Sequence, residues 1–264
     1  MTQVQLAALY RYPVKSMGGA RVQASPVSLL GLAHDRMWMV ADASGQMITG
    51  RTCPEIVLIQ ATPAETGLAL AAVGRPGLFI PNTAFTQPHP AQVWKDQFQA
   101  WVGAEAADEW ISDFLGRPCR LMWTGSQPTR RLRIDDQVPV SFADGFPLLL
   151  ANQASLDELS GRIGRPMAME RFRPNLVVSG AQAWAEDDWK RLRIGGVEFE
   201  VAKPCERCVF TTVDPETGRK SSDQEPLRTL ATYRKTPAGV IFGQNLVARG
   251  SGVLEVGMPV ELLA

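Results

Sequence analysis

In the stretch RLRIGGVEFEVAKP, Val197, Phe199 and Val201 alternate with Glu198 and Glu200. A repeat of two gathers the apolar side chains on one face only if the backbone is extended, and it turns the glutamates to water. A chain carrying such segments builds sheets that are wet on one face. Runs of similar character recur as RVQASPVSL, DRMWMVAD, QMITG and EIVLIQATP early on, with Ala43-Ser44-Gly45 as a hairpin turn. NLVVSG, CVFTTV, GVIFGQNLVA and GVLEVGMPVELL follow in the last third. Between Pro63 and Gln99, Pro and Gly interrupt the chain so often that long loops around short strands are expected.

Two helices stand out against this background. In GAEAADEWISDFLGRP, Ala107, Trp110, Ile111, Phe114 and Leu115 recur at helical spacing before Gly116 and Pro118 end the segment. In ANQASLDELSGRIG, Leu156, Leu159 and Ile163 share a helical face, with Ser155 and Glu158 spaced as a capping box. The polar stretch TGSQPTRRLRIDDQ is the best boundary, dividing a predominantly β, α+β chain with a few short helices into residues 1–123 and 124–264. Its RRLR cluster reads as a solvated loop or as a docking point for an acidic partner.

Composition excludes several classes of function. With 45% hydrophobic residues over 264 positions, the chain buries a real core. Its 27 basic and 27 acidic residues cancel, so no bulk charge calls for nucleic acid or an anionic membrane. The basic residues are 21 Arg against 6 Lys, a bias that suits bidentate grip on phosphate or carboxylate but that a GC-rich genome also produces. No apolar stretch approaches the roughly 20 residues that span a bilayer, and the N-terminus lacks the pattern of a signal peptide, so a cytoplasmic protein is expected. Cys53, Cys119, Cys205 and Cys208 are too sparse for a disulfide framework, and reduced thiols are the default.

The string KPCERCVFTTVDPETG concentrates the chemistry. Structural zinc wants four ligands, and only Cys53, Cys119, His34 and His89 are left to complement Cys205 and Cys208. A thioredoxin-type pair belongs at a helix N-terminus, whereas VFTTV has strand composition. The bland reading is two small buried hydrophobes at the edge of a β-element. Against it, Lys203 and Arg207 flank the pair with positive charge, the setting in which a cysteine serves as nucleophile or soft-metal ligand. Polar residues also stand at turns and strand ends. Lys15 and Ser16 suit a phosphate oxygen or an ordinary surface turn, and Arg36 and Arg173 suit a phosphate or a salt bridge.

YPVKS, GLAHDRMWMVAD, FADGFPLLLANQASL, RFRPNLVVSG, KPCERCVFTTVDPETG and GVIFGQNLV, in this order over nearly the whole chain, resemble the MOSC proteins that carry an N-terminal β-barrel domain. The likeness is greatest to the amidoxime reducing component branch and its bacterial relatives. It implies a β-barrel N-terminal domain followed by a MOSC β-barrel domain, and a molybdenum cofactor of the sulfite-oxidase-like type. The second cysteine of the pair, here Cys208, would ligate molybdenum, leaving Cys205 a structural role. Contacts to the pterin and its phosphate would fall on Lys15, Ser16, Arg36, Arg173, Asn175 and Arg207. Asp144 would orient a water or a substrate amine, or else be a plain turn residue in ADGF.

The implied reaction removes oxygen from N-hydroxylated compounds (hydroxylamines, amidoximes and N-hydroxylated bases), giving amines or amidines. No cysteine follows Cys208, so an appended ferredoxin is not expected. Electrons would come from a separate iron-sulfur or cytochrome-type protein, with Arg130, Arg131 and Arg133 as its docking point. The targeting segment and membrane anchor of the mitochondrial relatives are likewise not expected, in keeping with a soluble bacterial protein. The other classes are a non-catalytic carrier of molybdenum cofactor or of sulfur, and a zinc-binding structural protein.

Overall fold

A computed structural model describes residues 3–263. The chain is predominantly β with three short helices, as the alternation requires. Val197 and Phe199 are fully buried, while Glu198 faces outward to pair with Arg191 and Arg193 and Glu200 with Arg249. The largest sheet has nine strands. Its main path runs Ala20–Val22, Gln5–Arg11, Leu176–Ser179, Leu148–Asn152, Gly239–Ala248, Val197–Arg207, Arg191–Ile194, Val260–Leu263. Pairing is antiparallel except between Leu148–Asn152 and Leu176–Ser179. That one parallel pair needs a crossover, and α2 (Gln153–Ile163) supplies it. A second sheet joins Trp38–Ala41, Arg120–Trp123, Asp96–Val102 and Gln87–Val93, with α1 (Glu105–Leu115) packed beside it. The strand paths are open ladders rather than closed rings.

Four expectations need correction. The region from Pro63 to Gln99 holds regular ladders: Gln60–Ala64, Gly67–Ala71 and Leu78–Pro81 form one sheet, and Gln87–Val93 pairs with Asp96–Val102 at seven positions. Pro63, Pro81, Pro88 and Pro90 all lie on edge strands, where a missing N–H costs no ladder bond. EIVLIQATP is not one strand. Pro54 opens a 3-10 turn, Pro54–Leu58, that buries Ile56 and Val57, and the strand starts at Gln60. The cap of α2 is Asn152, whose Oδ1 accepts from Ala154 N at 3.1 Å. Ser155 instead lies buried, donating to Glu186 Oε1 at 2.7 Å, and Glu158 pairs with Arg162, so no capping box forms. Finally VFTTV is a 3-10 turn, Val209–Thr212, rather than a strand. The Thr211 and Thr212 hydroxyls donate back to the carbonyls of Cys208 and Val209 at 2.9 and 2.7 Å, holding the turn from within.

The halves are interlocked at both ends. Strand Gln5–Arg11 lies inside the nine-stranded sheet beside Leu176–Ser179, and Ala24–Ser28 pairs with Gly252–Glu255. In return, Val213 is buried in the apolar core of the N-terminal half, and Phe210 packs against the same core. A Cβ on Gly50 would stand 2.1 Å from the Phe210 ring, so the ring rests directly on the Gly50 backbone. Gly50→Ala is therefore expected to lower stability by about 1–3 kcal/mol by overpacking, read by chemical denaturation. Adding Phe210→Leu should recover part of the loss.

Candidate functional site

A cavity of about 370 Å³ opens where the Cys208 turn meets the N-terminal half, and Lys15, Ser16, Arg36, Asp144, Arg173, Asn175, Arg207 and Cys208 all line it. Local folding delivers each of them. The ladder between Val197–Arg207 and Gly239–Ala248 slips twice, between Val201 and Lys203 and between Pro204 and Glu206, and such bulges re-aim the residues that follow. The strand stops at Arg207. Cys208 follows with extended backbone, φ −125°, and the Val209–Thr212 turn leads away from it. Arg171 pins this turn, donating to the Thr212 carbonyl at 3.0 Å and to Asp214 Oδ2 at 2.6 Å.

Ser16, Arg36 and Arg173 carry left-handed backbone, with φ of 68°, 50° and 55°. Residues with a Cβ adopt that region at a cost, and such strain collects at sites where side chains must be aimed. Arg36 pairs with the buried Asp35 and donates to the Arg173 carbonyl at 2.9 Å; Arg173 donates to the Met17 carbonyl at 2.7 Å. Both guanidiniums lie over the Tyr12 ring, at 4.5 and 4.2 Å. Arg207 donates to Cys205 Sγ at 3.0 Å and to the Phe172 carbonyl at 2.5 Å. Asn175 differs from these. Its Oδ1 accepts from Leu149 N at 3.2 Å and its Nδ2 donates to the Tyr10 carbonyl at 3.3 Å, so it clamps three strands together.

The charges set the protonation of the site. Burial pushes the Arg173 guanidinium down to about 10, with Arg36 adding to the shift, which leaves it cationic at neutral pH. Burial also lowers the Lys15 ammonium, against the pull of Asp144. Desolvation by the cavity walls raises the Asp144 carboxyl, but Lys15 at 2.5 Å, then Arg51 and the Trp94 indole, outweigh it and hold the group well below the usual carboxylate range. Its side chain is 61% accessible, so it presents a charged oxygen to the cavity. Four buried guanidinium nitrogens have no hydrogen-bond partner among the described residues: Arg11 Nε and Arg234 Nε away from the cavity, and Arg173 Nη2 and Arg207 Nε on residues that line it. Buried donors left unpaired are costly, and the last two belong to cations lining the same cavity.

Several contributors were not foreseen. Lys203 turns its charge to Glu206 at 2.9 Å, and the cation that touches Cys208 is Arg51, whose Nε donates to Sγ at 3.1 Å. Arg51 also reaches Asp144 Oδ2 at 3.5 Å and stacks on Trp94, 3.9 Å from the ring centroid. Only the fold brings residue 51 to residue 208. The RRLR cluster is only partly solvated: Arg131 and Arg133 are exposed, and Arg130 is not. Arg130 is buried, pairs with Asp96 at 2.7 Å, and donates to the carbonyls of Ser141, Ala143 and Asp144, so it buttresses the loop that carries Asp144. Arg133 shares Asp96, and Arg131 donates to the Pro128 carbonyl.

Among the described residues no three His, Cys, Asp or Glu side chains gather to hold a metal ion. A metal at Cys208 would have to bring most of its own ligands. No helix among the described residues is long and apolar enough to cross a membrane.

Residues 3–118 match the MOSC N-terminal beta barrel domain, and residues 137–261 match the MOSC domain. The chain is 36% identical to mitochondrial amidoxime-reducing component 1 of Homo sapiens over 98% of its own length and 82% of that protein. It is 33% identical to mitochondrial amidoxime reducing component 2 of Bos taurus, over 97% and 82%. It is also 28% identical to molybdenum cofactor sulfurase of Oryza sativa, over 92% of this chain but 32% of that longer protein.

The lowered Asp144 carboxyl fixes a pH signature. An acid whose folded pKa lies below its unfolded value stabilises fully above the unfolded value, about 3.9, and the gain is lost as the pH falls through the folded one. The stability excess of the protein over Asp144→Asn should therefore be flat from neutral pH to about 5 and shrink only in stronger acid. Thermal melts across pH read it; an excess that decays near pH 6 would contradict the assignment.

Proposed function

The chain belongs to the MOSC family, in the branch that joins a MOSC N-terminal beta barrel domain to a MOSC domain, and from that premise we propose that it reduces N-hydroxylated compounds with a molybdenum cofactor. The observation that carries this reading is the pairing, in one cavity, of a cysteine sulfur with buried, unpartnered guanidinium donors. A molybdopterin offers matching parts: a phosphate for the donors, and a metal that arrives with two sulfurs of its own and accepts one more from the protein. Cys208 would supply that sulfur. Arg173 Nη2 and Arg207 Nε would take phosphate oxygens, with Lys15, Ser16 and Arg36 beside them, while Asn175 holds the wall in place. Cys205, bound by Arg207, would keep that guanidinium oriented.

When bound, the cofactor supplies the two-electron chemistry that splits the N–O bond, yielding an amine or amidine and water from two electrons and two protons. The protein's part is to bind and orient. Asp144 stays ionised because Lys15 and Arg51 face it, and its open oxygen accepts a hydrogen bond from the substrate N–H. Arg130 fixes the backbone beneath it. Electrons come from a separate donor protein of iron-sulfur or cytochrome type. The paired state of Arg130 and Arg133 argues against the RRLR cluster as its docking point.

The likeness to molybdenum cofactor sulfurase favours a second reading, in which the chain carries cofactor or sulfur without turnover. One experiment separates the two: metal analysis of the purified protein beside an assay with a chemically reduced dye and an amidoxime. The proposal expects stoichiometric molybdenum and turnover, with turnover abolished in Cys208→Ala and reduced roughly 10- to 100-fold in Cys205→Ala, as loss of an indirect support does. Molybdenum without turnover would establish the carrier.

A further inference from the structure

We infer that Trp94 is the platform on which the flat, nitrogen-bearing end of the substrate lies, and that the Arg51 guanidinium outlines the place this group takes. The inference rests on the reading of the chain as a reductase of N-hydroxylated compounds and narrows its substrates to planar, conjugated ones: amidoximes and N-hydroxyguanidines before aliphatic hydroxylamines.

Trp94 stands in the two-residue turn between strands Gln87–Val93 and Asp96–Val102, against two residues that line the cavity, Asp144 and Arg51. Its backbone is left-handed, φ 57°, a conformation in which a bulky aromatic is out of place. No packing explains the choice, because the ring is 41% exposed and belongs to none of the apolar cores. The ring is nevertheless fixed. Its Nε1 donates to Asp144 Oδ1 at 3.1 Å, and Gln92 Nε2 donates to the Trp94 carbonyl at 2.8 Å. Against its face lies the Arg51 guanidinium, with the carbon 3.9 Å from the ring centroid and Nη2 3.5 Å from Asp144 Oδ2. A planar, delocalised group of carbon and nitrogen thus meets an aromatic face and a carboxylate at once. An amidoxime or N-hydroxyguanidine has the same flat C–N framework and N–H donors, so it can make both contacts. An aliphatic hydroxylamine has no plane to lay on the ring. Arg51 also donates to Cys208, so the group that lies on the ring is the one that touches the sulfur.

The test uses the holoenzyme with two readouts: calorimetric binding of benzamidine, an amidine of the product class, and dye-driven turnover of benzamidoxime beside N-methylhydroxylamine. Trp94→Ala is expected to weaken the benzamidinium cation about tenfold, the size of a desolvated cation–π contact, and to raise KM for the neutral benzamidoxime about threefold, the size of a stacking contact, with kcat little changed. KM for N-methylhydroxylamine stays put, and Trp94→Phe restores most of the loss. Arg51→Lys, which keeps the charge and gives up the plane, should bind benzamidine more tightly because the competing group is gone. Equal KM changes for both substrates, benzamidine affinity indifferent to residue 94, or weaker binding in Arg51→Lys would each overturn the inference. If the protein turns over neither compound while benzamidine still depends on Trp94, the reductase reading fails and the platform stands.

Discussion

The site depends on one steric contact, the Phe210 ring laid on the bare backbone of Gly50. It ties the turn after Cys208 to the core of the N-terminal half, where Val213 is also buried. Because Arg51 follows Gly50 and Cys208 lies two residues before Phe210, the same contact delivers the guanidinium to the sulfur. Remove it and the cavity loses the alignment of its two walls. Arg171 supports the arrangement from the other side by holding Thr212 and Asp214.

Around this joint the chain gathers far more positive than negative charge, although its overall charge is zero. Most of the cations are spent on named partners: Arg36 on Asp35, Lys15 on Asp144, Arg130 on Asp96, and Arg171 on Asp214. What remains is a small surplus of buried, unpaired donors on two residues that line the cavity, Arg173 and Arg207. A local surplus inside a neutral protein selects an anion by position, where a uniformly basic surface would attract any polyanion. The left-handed backbones of Ser16, Arg36 and Arg173 are the conformational cost of that aim, met by the hydrogen bonds that lock each arginine.

Periodicity and punctuation carried much of the fold. The alternation at Val197 to Val201, the spacing in α1 and the left-handed Gly116 at its end are local properties, and local physics decided them. The edge-strand prolines misled because a proline is hostile to a sheet interior and harmless at a rim, and the sequence does not say which a strand will be. VFTTV misled because its threonine hydroxyls bond back to the chain instead of lying along a ladder. In the site, the residues named from family likeness do meet in one cavity. Arg51, Trp94 and the inward Arg130 were illegible, since contacts across 157, 50 and 34 residues leave no mark in spacing.

Strand Gln5–Arg11 lies some 165 residues of chain ahead of its neighbour Leu176–Ser179, and Ala24–Ser28 likewise waits for Gly252–Glu255. Until then only Ala20–Val22 is at hand to pair with Gln5–Arg11, so the strand's other edge keeps free backbone groups until the later strand arrives. Lys15 and Ser16 stand a few residues beyond this strand, so the cavity they line closes only once Arg207 and Cys208 have been made. Topology thereby makes the cavity a late product of folding, formed after the later half of the chain has returned to the earlier.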